Sequence, residues 1–324
     1  MSSRWDVLIP SEIDSSGPES IANLAACTRI DEYASTEAAL DDIGRYDAVI
    51  VRLADIDADV IERADRLNVV AKHGAGLDNV DVEAASNRGI AVCNTPGANA
   101  RSVAEHAVAL LFGVRRSLRT ADDHVRAGGW DREAFAGHEL AGDTLGLFGF
   151  GAIARETADL VRGMNQTVLA YDPYVADDDV PSRIERVETL SELFARSDAV
   201  SVHAPLTPET REAVSAAELT ALGERGVLIN TSRGAIVDET ALVDALERGT
   251  VRGAGLDTFR EEPPGEGHPF YDRDEVLLTP HIGGVTDAAL ARMSQQAAAN
   301  VRAVYQGELP ASTVNPDALA EGDT

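Results

Sequence analysis

Short apolar runs alternate with helix-patterned stretches along almost the whole chain, a rhythm that admits few folds other than parallel β/α units. In the first hundred residues the runs fall at 7–9, 48–51, 69–71 and 90–93, with helical patterns starting near Pro18 and spanning 57–64 and 81–88. From 100 to 126 an amphipathic pattern predicts one long helix with Val103, Ala107, Leu110, Leu111, Val114 and Leu118 on one side. After a polar stretch, 128–143, a second series predicts strands at 145–148, 168–171, 200–203, 227–230, 254–257 and 276–279. Six such strands with interleaved helices make a complete doubly wound sheet. The last helical pattern, 287–306, offers a return of the chain to its first domain.

The charge balance restricts partners. The 324 residues include 55 Asp and Glu against 28 Lys and Arg, for a net charge of −27. Phosphate-backbone binding needs clustered basic residues, and anionic lipid repels an acidic face, so neither nucleic acid nor a membrane is an expected partner. Lys72 is the single lysine; the other 27 basic residues are arginine. That pattern resembles proteins of salt-in halophiles, whose self-repulsion is screened over a Debye length of about 3 Å at 1 M salt. Cys27 and Cys93 show no CxxC spacing, and the N-terminus shows no export pattern or long apolar run. A reducing cytoplasm is the expected location, and no metal is expected.

The sharpest local signal is a strand running into Gly149-x-Gly151-x-x-Ala154 and then a helix. Glycines there permit a tight turn and let a pyrophosphate approach the helix N-terminal amides. Asp172, at the end of the next strand, follows Gly151 by 21 residues, the spacing of a carboxylate that binds the adenosine ribose. With Pro173 and Tyr174 after it and no basic neighbour, a 2′-phosphate would meet a like charge, so NAD is expected over NADP. The candidate cofactor contacts are Gly149, Gly151, Ala152, Ile153 and Asp172, with His203, Pro205 and Thr231 at later strand ends.

Of seven histidines, His124 and His138 fall in polar surroundings with no visible partner, and His106 sits beside Glu105 on the amphipathic helix. His203, at a strand end, reads as a wall of the crevice. His281 differs because it directly follows a strand at the carboxyl edge, where Glu262 and Arg233 also follow strands. Hydride transfer on a hydroxy acid needs a base for the hydroxyl proton, a group that tunes it and a cation for the substrate anion. Arg233, Glu262 and His281 meet those needs.

Together, Gly74-Ala75-Gly76-Leu77-Asp78-Asn79-Val80-Asp81, Asn94-Thr95-Pro96-Gly97, Ser102-Val103-Ala104-Glu105-His106, the Gly149 loop, Tyr171-Asp172-Pro173 and the three strand-end motifs resemble the D-isomer-specific 2-hydroxyacid dehydrogenase family, its phosphoglycerate dehydrogenase branch above all. The resemblance implies an α/β protein with two Rossmann-like doubly wound parallel-sheet domains. A flavodoxin-like substrate domain would come from 1–98 and 289–324, and an NAD-binding domain from 99–288. It implies that Arg233 holds the substrate carboxylate and carbonyl, Glu262 pairs with His281, and His281 is the acid/base. Asp257 would sit against the nicotinamide carboxamide, and Arg52 with the backbone of Ala75 and Gly76 would meet the substrate.

Two departures bear on the substrate. Ala154 replaces the third loop glycine, and Gly129 stands before Trp130 where phosphoglycerate enzymes carry a basic residue. The regulatory domain many of them carry is not expected after Thr324. Glyoxylate or hydroxypyruvate reduction is therefore the alternative, and an NAD-sensing corepressor on the same fold a remote one; Glu262 argues against a formate dehydrogenase, where Gln is expected. Trp130 and Phe135 on a polar arm predict a homodimer.

Overall fold

Buried strands read as continuous apolar runs because a parallel sheet is covered on both faces. The computed structural model describes residues 4–317, which form two compact units: residues before Ala100 together with those after Gly284, and Ala100–Gly284. The first unit holds β1 (Trp5–Ile9), β2 (Ala25–Arg29), β3 (Ala48–Val51), β4 (Val69–Lys72) and β5 (Ala91–Cys93), all parallel in the order β2-β1-β3-β4-β5. This is the flavodoxin-like order. The helix Asp287–Tyr305, capped by the Thr286 hydroxyl, lays Ala297, Ala298 and Val301 in one cluster with Val7, Ile9 and Ile50.

The second unit holds β6 (Thr144–Phe148), β7 (Thr167–Tyr171), β8 (Glu185–Arg186), β9 (Ala199–Val202), β10 (Val227–Asn230), β11 (Gly253–Leu256) and β12 (Val276–Leu278). They form a parallel sheet in the order β12-β11-β10-β9-β6-β7-β8. Alternate strand residues feed opposite faces: Val227 and Ile229 join the cluster of Leu145, Leu147 and Phe150, while Leu228 joins that of Val200, Val202 and Leu256. From β6 the chain runs outward to β7 and β8, then crosses back to β9 and outward the other way. The switch point therefore lies between β6 and β9, where ligands bind in such sheets.

Three elements differ from the sequence reading. Strands β2 and β8 were not expected; both lie at sheet edges, and the residues of β2 after Ala25 are only half-buried, so no apolar run marks them. The single helix expected over 100–126 is two, Ala100–Arg115 and Leu118–Arg126, because Ser117 takes a left-handed conformation (φ 49°). Leu118, past the break, is 55% exposed, whereas Val103, Ala107, Leu110, Leu111 and Val114 are buried. Among the described residues no helix is long and apolar enough to cross a membrane.

The first of these helices ends on a buried cation. Arg115, 1% exposed, donates to the carbonyls of Arg225 (3.1 Å) and Asp198 (2.8 Å) and pairs with Asp143 at 2.8 Å. Removing one partner of a buried pair strands the other. Arg115→Ala is expected to destabilise the second unit by about 3–5 kcal/mol, read as a lowered urea midpoint; a midpoint that did not move would mean that the pair contributes nothing.

Candidate active site

The loop after β6 is shaped by two contacts that exclude side chains. Gly149 has φ 89°, and a Cβ there would stand 2.6 Å from the Ala204 nitrogen at the end of β9. Its N–H donates to Tyr171 O (2.8 Å), and the His203 N–H donates to Phe148 O (2.7 Å), so the loop sits between the ends of β7 and β9. Gly151 caps the helix Ala152–Val161, with open space where its Cβ would be and no acidic residue in the first turn. The amides of Ala152 and Ile153 thus begin a helix N-terminus fit for a phosphate group.

Asp172 braces the same loop. One carboxylate oxygen accepts from the Phe150 N–H (2.8 Å) and the other from the Tyr174 N–H (2.9 Å). A carboxylate has about four acceptor positions, so capacity for two ribose hydroxyls is left. Both His203 ring nitrogens are shielded and have no partner among the described residues, and burial pushes the imidazole down to about 4. Ser232 Oγ donates to Ala204 O, while Pro205 O accepts from Thr210 Oγ1 (2.6 Å). Thr231, beside Ser232, is buried. These residues fit a dinucleotide at the switch point.

At the other side of the edge, the turns after β10 and β11 press together. A Cβ on Gly234 would overlap the backbone of Phe259 and Arg260, so only glycine allows the approach. Arg233 donates to Ser232 O (2.8 Å) while Asn230 Nδ2 holds the Arg233 carbonyl (2.9 Å). Glu262 accepts from the Phe259 N–H (3.0 Å) on one oxygen and from His281 Nδ1 (2.7 Å) on the other. Since a carboxylate only accepts, Nδ1 carries the proton and Nε2 is the basic nitrogen. A cavity of about 440 Å³ opens beside the pair, lined by Phe259, Pro263, Pro264, Tyr271, Leu278 and Pro280.

The electrostatics suit proton transfer. The Glu262 hydrogen bond raises the His281 pKa, outweighing burial, and the charges of Glu262 and Asp257 add to it while Arg233 opposes. Burial raises the Glu262 carboxyl, but the bonds from His281 and the Phe259 N–H, with the charges of His281 and Arg233, outweigh it and hold it below the ordinary range.

Asp257 is tied into the turn that follows β12. Its side chain is 1% exposed and accepts from Thr279 Oγ1 (2.6 Å), the Ile282 N–H (2.9 Å) and the Gly283 N–H (2.7 Å), with His106 Nε2 at 3.3 Å. It holds the turn that carries His281. His106 thus has a buried partner set that its polar neighbours in sequence do not reveal. His124 and His138 also have partners, in exposed contacts: His124 Nε2 accepts from the Asp131 N–H (3.1 Å) and His138 Nδ1 from Arg225 (3.3 Å).

In the first unit, Arg52 follows β3 and Ala75 and Gly76 follow the adjacent β4. Lys72 Nζ donates to the Arg52 carbonyl (2.6 Å) and to Asn79 Oδ1, whose Nδ2 donates to Ala54 O (2.5 Å). The two loops are therefore tied to one ammonium group. Thr95 and Asn94 hold Gly74 and Ala75 from the end of β5. Among the described residues the N–H groups of Ala75 and Gly76 have no acceptor, leaving adjacent donors for an anion. Only the singularity of Lys72 in the sequence pointed to it.

A glycine loop that fits a dinucleotide lies at the switch point, and the hydrogen-bonded Glu262–His281 pair lies at the same sheet edge. The chain belongs to the D-isomer-specific 2-hydroxyacid dehydrogenase family, whose NAD-binding-domain model matches residues 108–283. It is 37% identical over 281 residues to a D-3-phosphoglycerate dehydrogenase of Methanocaldococcus jannaschii, covering 86% of this chain and 53% of that one. The chain spans about half the length of the curated phosphoglycerate dehydrogenases it matches. It is 38% identical to a glyoxylate reductase of Thermococcus litoralis, covering 86% of this chain and 87% of that one. Among solved structures it resembles an NADPH-dependent glyoxylate/hydroxypyruvate reductase of Sinorhizobium meliloti in complex with citrate, at TM-score 0.86 and 31% identity over 97% of this chain and 99% of that one.

The His281–Glu262 geometry has a direct readout. A histidine whose charged form is favoured titrates above the ordinary imidazole value of about 6.5, so the His281 ring protons are expected to shift in NMR at higher pH than a free imidazole. In Glu262→Gln the carboxylate is gone and the titration moves to lower pH. An unmoved titration would show that Glu262 does not control the ring.

Proposed function

We propose that the protein is an NAD-dependent dehydrogenase interconverting a small D-2-hydroxy acid and its 2-keto acid, with D-3-phosphoglycerate as the first candidate substrate. The observation that carries this reading is the Glu262–His281 bond at 2.7 Å, which leaves Nε2 as the base beside the charge of Arg233. Nε2 takes the hydroxyl proton in oxidation and returns it in reduction, and Glu262 stabilises the imidazolium formed. Arg233 binds the carboxylate and the carbonyl oxygen, where charge grows. Arg52 and the Ala75 and Gly76 amides bind the acid group. Bound nicotinamide supplies the hydride acceptor or donor. Asp172, with unused acceptor capacity and no basic neighbour, favours NAD, although the Sinorhizobium meliloti relative is NADPH-dependent.

One observation favours glyoxylate or hydroxypyruvate as a second reading. A phosphorylated acid needs cationic groups beyond Arg233. The arm carries Gly129 before Trp130, where a Cβ would stand 2.3 Å from the His124 ring and require that ring to move, and offers Arg132 instead. Turnover of 3-phosphoglycerate, glyoxylate and hydroxypyruvate with NAD(H) and NADP(H), in the parent and in Arg132→Ala, separates the readings. The expected result is NAD(H) preference and a loss in Arg132→Ala confined to the phosphorylated acid. An equal loss for glyoxylate would remove Arg132 as a phosphate handle, and NADP(H) preference would overturn the role of Asp172.

We further infer a cytoplasmic, halophilic homodimer acting on a small-molecule acid, with no nucleic acid or membrane partner. The near-total use of arginine and the net charge of −27 support the salt reading. Trp130 is 79% exposed, with Leu118 and Val125 also exposed on the preceding helix, a patch costly to leave in water. Light scattering in multimolar KCl is expected to give twice the 34.3 kDa chain mass; a monomer at micromolar protein would refute the dimer.

A further inference from the structure

His281 stands on a strained turn. Its φ of 52° lies in the left-handed region, which is unfavourable for a non-glycine residue and persists only where the surroundings impose it. Asp257 imposes it. The His281 N–H donates to the Asp257 carbonyl (2.9 Å), and the next two N–H groups, of Ile282 and Gly283, donate to the two oxygens of the Asp257 carboxylate (2.9 and 2.7 Å). Three successive amides are thereby fixed by one residue. A Cβ on Gly283 would stand 2.9 Å from that carboxylate, so the turn fits closely over it.

The carboxylate in turn is held from below by the helix Ala100–Arg115. Thr279 Oγ1 lies 2.6 Å from Asp257 Oδ1 and donates to it, since the carboxylate only accepts. The hydroxyl proton being spent, His106 Nε2, 2.9 Å from Thr279 Oγ1, is the donor to that oxygen and also approaches Asp257 Oδ1 at 3.3 Å. Donation runs from His106 through Thr279 to Asp257, which accepts from the amides of the His281 turn on its other side. Burial raises the Asp257 carboxyl, and the bonds from His106, Thr279 and the two amides outweigh it, so the group stays ionised.

We propose that His106 is a positioning residue for His281, acting through Thr279 and Asp257 to hold the turn that aims the imidazole. This rests on the reading of His281 as the acid/base. His106→Phe keeps a ring but loses the donor; His106→Gln keeps an N–H near the place of Nε2. In His106→Phe, kcat is expected to fall roughly 10–100-fold, with KM and the NADH dissociation constant, from fluorescence titration, within about twofold of the parent, because a misaimed base is felt in the transition state. His106→Gln is expected to recover most of kcat. Thr279→Val, which breaks the same relay at its second link without touching the helix, is expected to show a similar loss, and the double variant no larger one.

Parental kcat in both His106→Phe and Thr279→Val would overturn the proposal. So would a loss confined to NADH binding, which would make Asp257 a cofactor holder, or equal losses in the Phe and Gln variants. His281→Gln separates this from the underlying reading: if that variant keeps turnover, the acid/base assignment fails; if it loses turnover while the relay variants do not, only the positioning role fails.

Discussion

A parallel sheet delivers all its carboxyl ends to one edge, and the chemistry of the second unit depends on that constraint. The Gly149 loop leaves β6, Asp172 leaves β7, His203 leaves β9, Arg233 leaves β10, Glu262 follows β11 and His281 follows β12. No residue has to be carried far on a flexible loop. The order of strands then decides who meets whom: β6 with its neighbours carries the Gly149 loop, Asp172 and His203, and β10, β11 and β12, side by side, carry Arg233, Glu262 and His281. A helix starting at Ala152 adds its N-terminal amides to the first group, and the hydrogen-bonded Glu262–His281 pair belongs to the second.

Proximity of strand ends is not enough, because turns carry bulk. The structure removes it at two glycines. Gly149 lets the first loop close onto Ala204, and Gly234 lets the turn bearing Arg233 lie on the backbone of Phe259, three residues before Glu262. Polar groups then set what sterics permit: Asp172 pins the first loop by the Phe150 amide, and Asp257 pins the His281 turn by three amides. In both places a carboxylate at the end of a buried strand orders a backbone that would otherwise have alternatives.

The sequence made the periodic elements and the strand-end motifs legible, since the runs at 48–51, 69–71 and 227–230 are buried on every residue and could only be central strands. It concealed β2 and β8, whose edge positions demand no apolar run, and the break at Ser117, where neither Gly nor Pro announces a left-handed residue. Leu118 continued the helical period by coincidence and is exposed. His106 was concealed for a different reason. Its neighbours in sequence are those of a helix surface, while its partners, Thr279 and Asp257, are more than 150 residues away, and only the packing of that helix on the sheet brings them together.

Lys72 shows the same separation of cause from appearance. In a chain whose other basic residues are all arginine, a lone lysine invites a reading about habitat, but its place explains why it is not arginine too. The side chain is 8% exposed at the end of β4, and its ammonium group reaches two acceptors, the Arg52 carbonyl and the Asn79 carboxamide, on loops that follow adjacent strands. A compact charge with rotatable donors can serve two acceptors that share no plane, whereas a guanidinium presents a rigid, larger fork that this buried position would have to accommodate. Surface cations face no such limit and are free to be arginine throughout. The one lysine therefore stands where local geometry favours a compact ammonium over a guanidinium.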